Sequence, residues 1–185
     1  FQVHRPVKDD FVEVDRGSSN FLVMLTDNDT FSYYTSGGSW ITRDVIDQVT
    51  WVGEPDQGGT VVLSDDGQHV LYTAPPGFEG DETFEYLADG KHRATVTMHV
   101  TSPVRDDYIS NIYEDTVGNP LNVTANDFKG NGYEGAGVIT SVSETAEGGT
   151  VEIAADGRSL VYSPAPGYTG ADSLSYTVDD ELQAT

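Results

Sequence analysis

The chain has 185 residues, of which 31 are acidic and 9 are basic, and its formal net charge is −22. A surface this acidic repels nucleic-acid phosphates and anionic membranes, which excludes both as partners. There is no cysteine, so disulfides and thiolate metal sites are excluded, and no run approaches the roughly 18 apolar residues of a membrane span.

Seven β-strands are predicted in the first half of the chain, because short runs of alternating apolar residues end at turn residues. Asp65-Asp66-Gly67 predicts a hairpin turn, since glycine accepts the positive φ that the turn requires. For residues 42–49 a helix is the alternative. Strands with this spacing are typical of an antiparallel Greek-key β-sandwich. The predicted strands cover residues 11–14, 21–25, 45–52, 60–63, 69–73, 82–87 and 93–100.

An aromatic segment, TFSYYTSGGSWITR, is predicted to form an inserted loop over residues 30–43. Its Tyr33, Tyr34 and Trp40 stand among serines and glycines, a composition typical of a recognition loop that stacks on sugar rings. The alternative is that these side chains cap the open end of the sandwich, because large aromatic side chains are usually buried.

The second half of the chain repeats the first. Gly58–Asp89 returns ninety residues later as Gly148–Asp179, and Pro6–Asp10 returns as Pro103–Asp107. Matching turn and apolar positions without gaps indicates a copied unit, so two domains are predicted, 1–102 and 103–185. A seventh strand would start near Leu182, and we expect the second sandwich to lack it. The other predicted strands cover 108–112, 121–123, 138–142, 150–153, 159–163 and 173–178.

Several motifs of the second half together carry a family resemblance. They are the Pro-x-x-Asp-Asp start, Ala125-Asn126-Asp127, Gly-Gly-Thr-Val, Asp-Gly, Pro-x-Pro-Gly-Tyr-x-Gly and Asp-Ser-Leu-Ser-Tyr. This pattern resembles the bacterial cadherin-like or Ig-like tandem repeats. The resemblance implies modules of a very large secreted or surface-anchored protein, located outside the cell or on its surface. It also implies neighbouring repeats as partners, with a cell-surface protein or a polysaccharide as a further partner.

Acidic residues are predicted to converge at the domain poles, since strands that alternate in direction bring alternate loops together. Calcium takes 6–8 oxygen ligands, which such a pole can supply, and the arrangement resembles the calcium-stiffened junctions of cadherins. The alternative is a solvated acidic surface with Asx turns. For the junction, the candidate ligands are Asp106, Asp107, Asn126 and Asp127 of the second domain, faced by Asp15, Glu79, Asp81 and Glu82 of the first. The equivalent set of the first domain is Asp9, Asp10, Asn28 and Asp29.

Catalysis has little support in the sequence. No zincin motif, nucleophile elbow or phosphate loop occurs, and the carboxylates are too many for one glycosidase pair to stand out. The chain is therefore predicted not to be an enzyme, although it could belong to the accessory region of one. The expected function is a structural or adhesive spacer stiffened by Ca²⁺, and the alternative is a carbohydrate-binding module that uses the aromatic loop.

Overall fold

The computed structural model of the chain describes residues 7–34, 37–38, 40–44, 48–128 and 132–185. It divides into two compact units, Phe1–Thr101 with Asn131–Glu134 and Ser102–Gly130 with Gly135–Thr185; we call them the first and second domains. Every regular element of the described residues is a β-strand. No helix long and apolar enough to cross a membrane is found among them.

The first domain is a two-layer sandwich with an added hairpin. One layer has the strand order β1-β9-β8-β5 and the other the order β2-β7-β6, while β3 and β4 pair with each other. Its strands are β1 Asp10–Asp15, β2 Phe21–Met24, β3 Thr30–Tyr34, β4 Trp40–Asp44, β5 Val49–Val52, β6 Thr60–Leu63, β7 His69–Thr73, β8 Gly80–Ala88 and β9 His92–Thr101.

Strand β1 differs from the antiparallel prediction, because it runs parallel to β9, with Asp10 opposite Val96 and Asp15 opposite Thr101. All other described strand pairs are antiparallel. After Asp15 the chain passes to the other sheet, so β1 adds to the free edge of β9 and does not form a hairpin with its neighbour in sequence.

The core of the first domain follows the two-residue period of its strands. On β8, Phe84, Tyr86 and Ala88 are buried, and on β9 every second residue from Ala94 to Val100 is buried. These side chains pack with residues of the other sheet in one hydrophobic cluster. Burial of their apolar surface stabilises the sandwich and fixes the register of the strands.

The inserted segment forms a hairpin, so the prediction of a loop over residues 30–43 is wrong. Thr30 lies opposite Asp44 and Tyr34 opposite Trp40. The segment is rich in β-branched and aromatic residues on both sides of Gly37-Gly38, which favours two strands and a turn. The helical alternative for 42–49 is also wrong, since Thr42–Asp44 belongs to β4. The strand predicted over 45–52 is observed at Val49–Val52, and residues 45–47 lie outside the described ones.

The second domain has two three-stranded sheets, ordered β10-β13-β12 and β11-β14-β15. The expectation that the second sandwich lacks its last strand is wrong, because residues 182–184 form β15 and pair with β14. The strands of this domain are β10 Asn119–Leu121, β11 Ile139–Val142, β12 Thr150–Ile153, β13 Leu160–Ser163, β14 Tyr176–Val178 and β15 Leu182–Ala184.

The strand predicted at residues 108–112 is absent, and this stretch is irregular. In the first domain, β1 pairs with Val96–Thr101 of β9. By the ninety-residue offset, the equivalent partners would follow Thr185. Asn111 also takes the place of the buried Val14 and adopts a left-handed backbone, with φ 68°, which interrupts an extended strand. Tyr108 is 93% exposed, against 64% for its counterpart Phe11 in β1.

Candidate functional site

Five residues of the first domain form what we call the first polar cluster: Asp9, Asp10, Asn28, Asp29 and Tyr86. The amide nitrogen of Asn28 donates to Asp10 Oδ1 at 2.7 Å, and the Lys8 backbone N–H donates to Asp29 Oδ1 at 2.8 Å. Tyr86 reaches the cluster from β8, and its hydroxyl lies 3.0 Å from the Leu25 carbonyl and 3.2 Å from Asp29 Oδ2. The start of β1, the residues after β2 and the middle of β8 therefore meet at one pole.

The second domain repeats this arrangement in the second polar cluster, which consists of Asp106, Asp107, Asn126, Asp127 and Tyr176. The backbone N–H of Arg105 donates to Asp127 Oδ1 at 2.8 Å, and the Asn126 amide donates to the Asp106 carbonyl at 3.0 Å. The Tyr176 hydroxyl lies 2.9 Å from both the Val123 carbonyl and Asp107 Oδ2. Four predicted candidate residues in each domain are thus brought together with a tyrosine.

Oxygen atoms without hydrogen-bond donors lie buried in both clusters. They are Asp10 Oδ2 and Asn28 Oδ1 in the first cluster and Asn126 Oδ1 and Asp127 Oδ2 in the second. The asparagine amide oxygen is left without a donor in both domains, and Asp127 is only 7% exposed. A buried acceptor without a donor is costly, so a water molecule, another donor or a cation bound at either pole would stabilise the domain.

Two carboxylates in each cluster are poorly stabilised as anions, and their pKa values are raised. Burial, together with neighbouring Asp29 and Asp9, raises the pKa of Asp10 to about 7 against hydrogen bonds from Tyr86 and Asn28. Burial likewise raises the pKa of Asp29, of Asp107 and of Asp127, and negative neighbours add to it for the last two. A proton or a cation at either cluster would relieve this strain.

The side chains fit a hard cation in type, although they do not complete a coordination shell. Carboxylate, amide, hydroxyl and carbonyl oxygens are the ligands that calcium prefers. Within the described residues, however, no group of three or more Asp, Glu or His side chains is arranged to hold a metal ion by itself. Each cluster therefore offers part of a calcium shell, and water or other oxygens would have to supply the rest.

The candidates at the opposite end of the first domain have local partners and form no common cluster. Arg16 forms an ion pair with Glu79 at 3.1 Å, and Asp81 Oδ1 lies 2.5 Å from His99 Nδ1. Asp15 ends β1 and is 3% exposed, and its carbonyl accepts a hydrogen bond from the Ser18 hydroxyl.

Glu82 differs most from its prediction as a ligand on a loop, because it lies in β8 and is fully buried. Its Oε1 accepts hydrogen bonds from the backbone N–H groups of Gln57 and Gly59, and its Oε2 from the Tyr72 hydroxyl at 2.5 Å. Both oxygens are thus occupied inside the domain. The period of β8 could have revealed this, since Glu82 shares the inward face of Phe84 and Tyr86.

The two cluster tyrosines were not recognised from the sequence as site residues. Tyr86 and Tyr176 occupy equivalent inward positions of the repeat, and a buried tyrosine hydroxyl needs a polar partner. This need for a polar partner could have indicated that both tyrosines lie beside the predicted acidic residues. Of the predicted ligand-binding aromatics, Tyr33 and Tyr34 lie in β3 and Trp40 in β4, where Tyr33 is opposite Ile41.

Comparison with known families matches the chain twice to the model described as the bacterial Ig domain, over residues 4–102 and 101–185. No curated protein matches the chain. Domains of this family are generally non-catalytic structural modules. The two matches together cover nearly the whole chain and agree with two consecutive all-β sandwiches. The chain belongs to the bacterial Ig domain family, of which it carries two tandem copies.

Proposed function

We propose that the chain is a spacer in a large extracellular or cell-surface protein, and that its polar clusters bind Ca²⁺. The observation that carries this proposal is the repeated pair of clusters, each with a buried amide oxygen and a carboxylate oxygen that lack donors. The net charge of −22 adds a general attraction for cations. A spacer works only while each of its modules stays folded. A bound ion would therefore act by stabilising each module at its pole.

The incomplete shells suggest how calcium would serve a tandem array. An ion held by Asp107, Asn126 and Asp127 still needs oxygens from elsewhere. In this proposal water supplies them. The further first-domain candidates do not enter, because Asp15 is 3% exposed, Glu79 pairs with Arg16 and Asp81 lies against His99. Glu82 is left out, since Tyr72 and two backbone N–H groups occupy its oxygens. Calcium would then stiffen the array of modules. Adhesion would depend on other binding domains of the full protein.

Terbium luminescence tests the calcium site directly, because Tyr176 lies 2.9 Å from Asp107 and can transfer excitation energy to a nearby lanthanide. We expect bound Tb³⁺ to be excited through tyrosine and displaced by Ca²⁺. Asp127→Asn should weaken the binding at the second cluster, since it replaces the buried carboxylate. The matched control is Asp180→Asn, which removes one exposed charge from the same domain. Equal titrations of both variants and the wild-type chain would reject the site.

A second candidate function is carbohydrate binding by the aromatic hairpin of the first domain. It is favoured by the register of β3 and β4, which brings Tyr34 opposite Trp40. Aromatic residues clustered in this way are typical of surfaces that stack on sugar rings. Affinity electrophoresis in gels containing polysaccharides tests it: binding predicts retardation that Trp40→Ala removes. Unretarded migration in all polysaccharides would leave only the spacer.

A further inference from the structure

The two polar clusters are built from the same acidic and amide residues, but a different basic residue precedes each of them. Lys8 of the first domain is equivalent to Arg105 of the second. Each donates its backbone N–H to the buried aspartate of its cluster at 2.8 Å, Lys8 to Asp29 and Arg105 to Asp127. Each backbone carbonyl also lies near the hydroxyl of the cluster tyrosine, at 3.4 Å in the first domain and 3.5 Å in the second. The two basic side chains therefore leave the backbone from the same place beside each cluster.

The side chain of Lys8 returns to the first cluster. Its ammonium donates a hydrogen bond to the backbone carbonyl of Asn28 at 2.5 Å. Asn28 is itself part of the cluster, since its side-chain amide donates to Asp10 Oδ1 at 2.7 Å. The ammonium also acts on Asp29, because burial raises the pKa of that carboxyl and the charge of Lys8 opposes the shift. The first cluster thus already carries one positive charge, and this charge occupies a carbonyl oxygen.

Arg105 leaves the second cluster open. Its side chain is exposed, and the hydrogen bonds that Arg105 makes within the described residues come from its backbone. Asp127, by contrast, is only 7% exposed, and its Oδ2 is buried without a hydrogen-bond donor. A cation that enters the second cluster therefore meets a bare carboxylate oxygen and no ammonium bound to the cluster backbone.

We infer that the ammonium of Lys8 is a built-in counter-ion that competes with calcium at the first cluster, so that the second cluster fills first. The inference rests on the calcium binding proposed above. Even in water, an ammonium a few ångströms from a divalent ion repels it enough to weaken binding about tenfold. Calcium must also do without the Asn28 carbonyl while Lys8 holds it. The two copies would then respond to calcium in two steps, each at its own concentration.

A terbium titration of the full chain, read by tyrosine-sensitised luminescence, tests this order of filling. We expect two binding steps about tenfold apart in the wild-type chain. Asp107→Asn with Asp127→Asn should remove the tighter step and leave the weaker one, which reports the first cluster alone. In that double variant, Lys8→Met removes the ammonium and should strengthen the remaining step about tenfold. Lys8→Arg keeps the charge and should leave that step weak.

Two control variants separate the ammonium contact from a general effect of charge. Lys91→Met removes an equal charge from the turn between β8 and β9 and should change the weaker step far less than Lys8→Met does. Arg105→Met, at the equivalent position of the second domain, should strengthen the tighter step far less.

The inference is overturned if the wild-type chain shows two steps of equal affinity, or if Lys91→Met has the same effect as Lys8→Met. Terbium would still be bound in both cases, so the proposed calcium sites would stand. The absence of any binding step in every chain would instead reject the calcium sites, and this inference with them.

Discussion

Asp10 lies against Asp9, Asp29 and Tyr86, with the Asn28 amide and Lys8 nearby, and burial raises its pKa to about 7. A carboxyl whose pKa is raised by folding stabilises the protein while it is protonated. That contribution is fully present below its ordinary pKa of 3.8 and is lost as the pH rises through about 7. In the absence of calcium, the first domain should therefore become less stable between pH 5 and pH 8.

Thermal unfolding of the full chain in EDTA measures this dependence. We expect the melting temperature of the first domain to fall by a few degrees more in the wild-type chain than in Asp10→Asn, which cannot lose a proton. Asp27→Asn, an exposed neighbour, should behave like the wild-type chain. Millimolar calcium should reverse the trend, since protons compete with the ion. Parallel curves for all three chains would show that Asp10 is not buried as a weak acid.

Gly59 is a position where a side chain has no room. A Cβ there would lie 2.9 Å from the Thr73 carbonyl and against the buried Glu82 carboxylate, and Gly149 meets the Ser163 carbonyl at the same distance. This explains the repeated Gly-Gly-Thr-Val motif. Gly59→Ala should lower the free energy of unfolding of the first domain by about 1–3 kcal/mol, as overpacking does. Thr60→Ala, exposed next to it, should cost about 0.5 kcal/mol in the same urea titration; equal losses would contradict the crowding.

At the scale of elements, β8 carries an internal lock between its buried Glu82 and Tyr72 of β7. The second domain keeps this contact with a shorter acidic side chain: the Tyr162 hydroxyl donates a hydrogen bond to Asp172 at 2.8 Å. Burial raises the pKa of Tyr162 to about 12, and the Asp172 carboxylate adds to the shift, so the phenol stays the donor. In both copies a carboxylate thereby accepts a hydrogen bond from a tyrosine of the facing sheet, and this carboxylate lies on β8 in the first domain and among the irregular residues before β14 in the second.

Chemical denaturation should separate this lock from a surface ion pair on the same strand. Glu82→Gln replaces an acceptor oxygen by an amino group facing existing donors, and should cost about 1–3 kcal/mol. The control is Glu85→Gln, which removes the exposed pairing with Arg93 and should cost at most about 1 kcal/mol. A double-mutant cycle with Tyr72→Phe should give a coupling of about 1 kcal/mol or more. Additive losses would mean that Tyr72 and Glu82 act separately.

The two-residue alternation of apolar side chains and the turn residues were enough to predict most strands, but not which strands pair with each other. Thr60–Leu63 and His69–Thr73 are observed as predicted, because the Asp-Gly turn and local alternation determine them. The hairpin of β3 and β4 was missed, since its aromatic residues suit a loop as well as a strand. The strand at 108–112 failed for a non-local reason. Its counterpart β1 depends on pairing with the end of β9, and no local pattern reports that partner.

For the whole molecule, the repeat in the sequence was the strongest guide, because two copies of one pattern imply two copies of one fold. It also predicted which acidic residues meet, since Asp9 to Asp29 and Asp106 to Asp127 do converge at equivalent poles. The orphaned oxygens and the two tyrosine hydroxyls could not be read from it. They depend on side-chain geometry within the core, which residue types alone do not specify.

The central claim is that calcium bound at the polar clusters stabilises and stiffens the tandem modules. Thermal unfolding and small-angle scattering, each in EDTA and in millimolar calcium, test it on the wild-type chain and on Asp107→Asn with Asp127→Asn. Calcium at 100 times its Kd adds about 2.7 kcal/mol, so the wild-type melting temperature should rise by about 10 °C and its radius of gyration should change. The double variant should fold in EDTA and lose most of the second domain's increase on addition of calcium. Identical melting of both chains in both buffers, with an unchanged radius of gyration, would contradict the account.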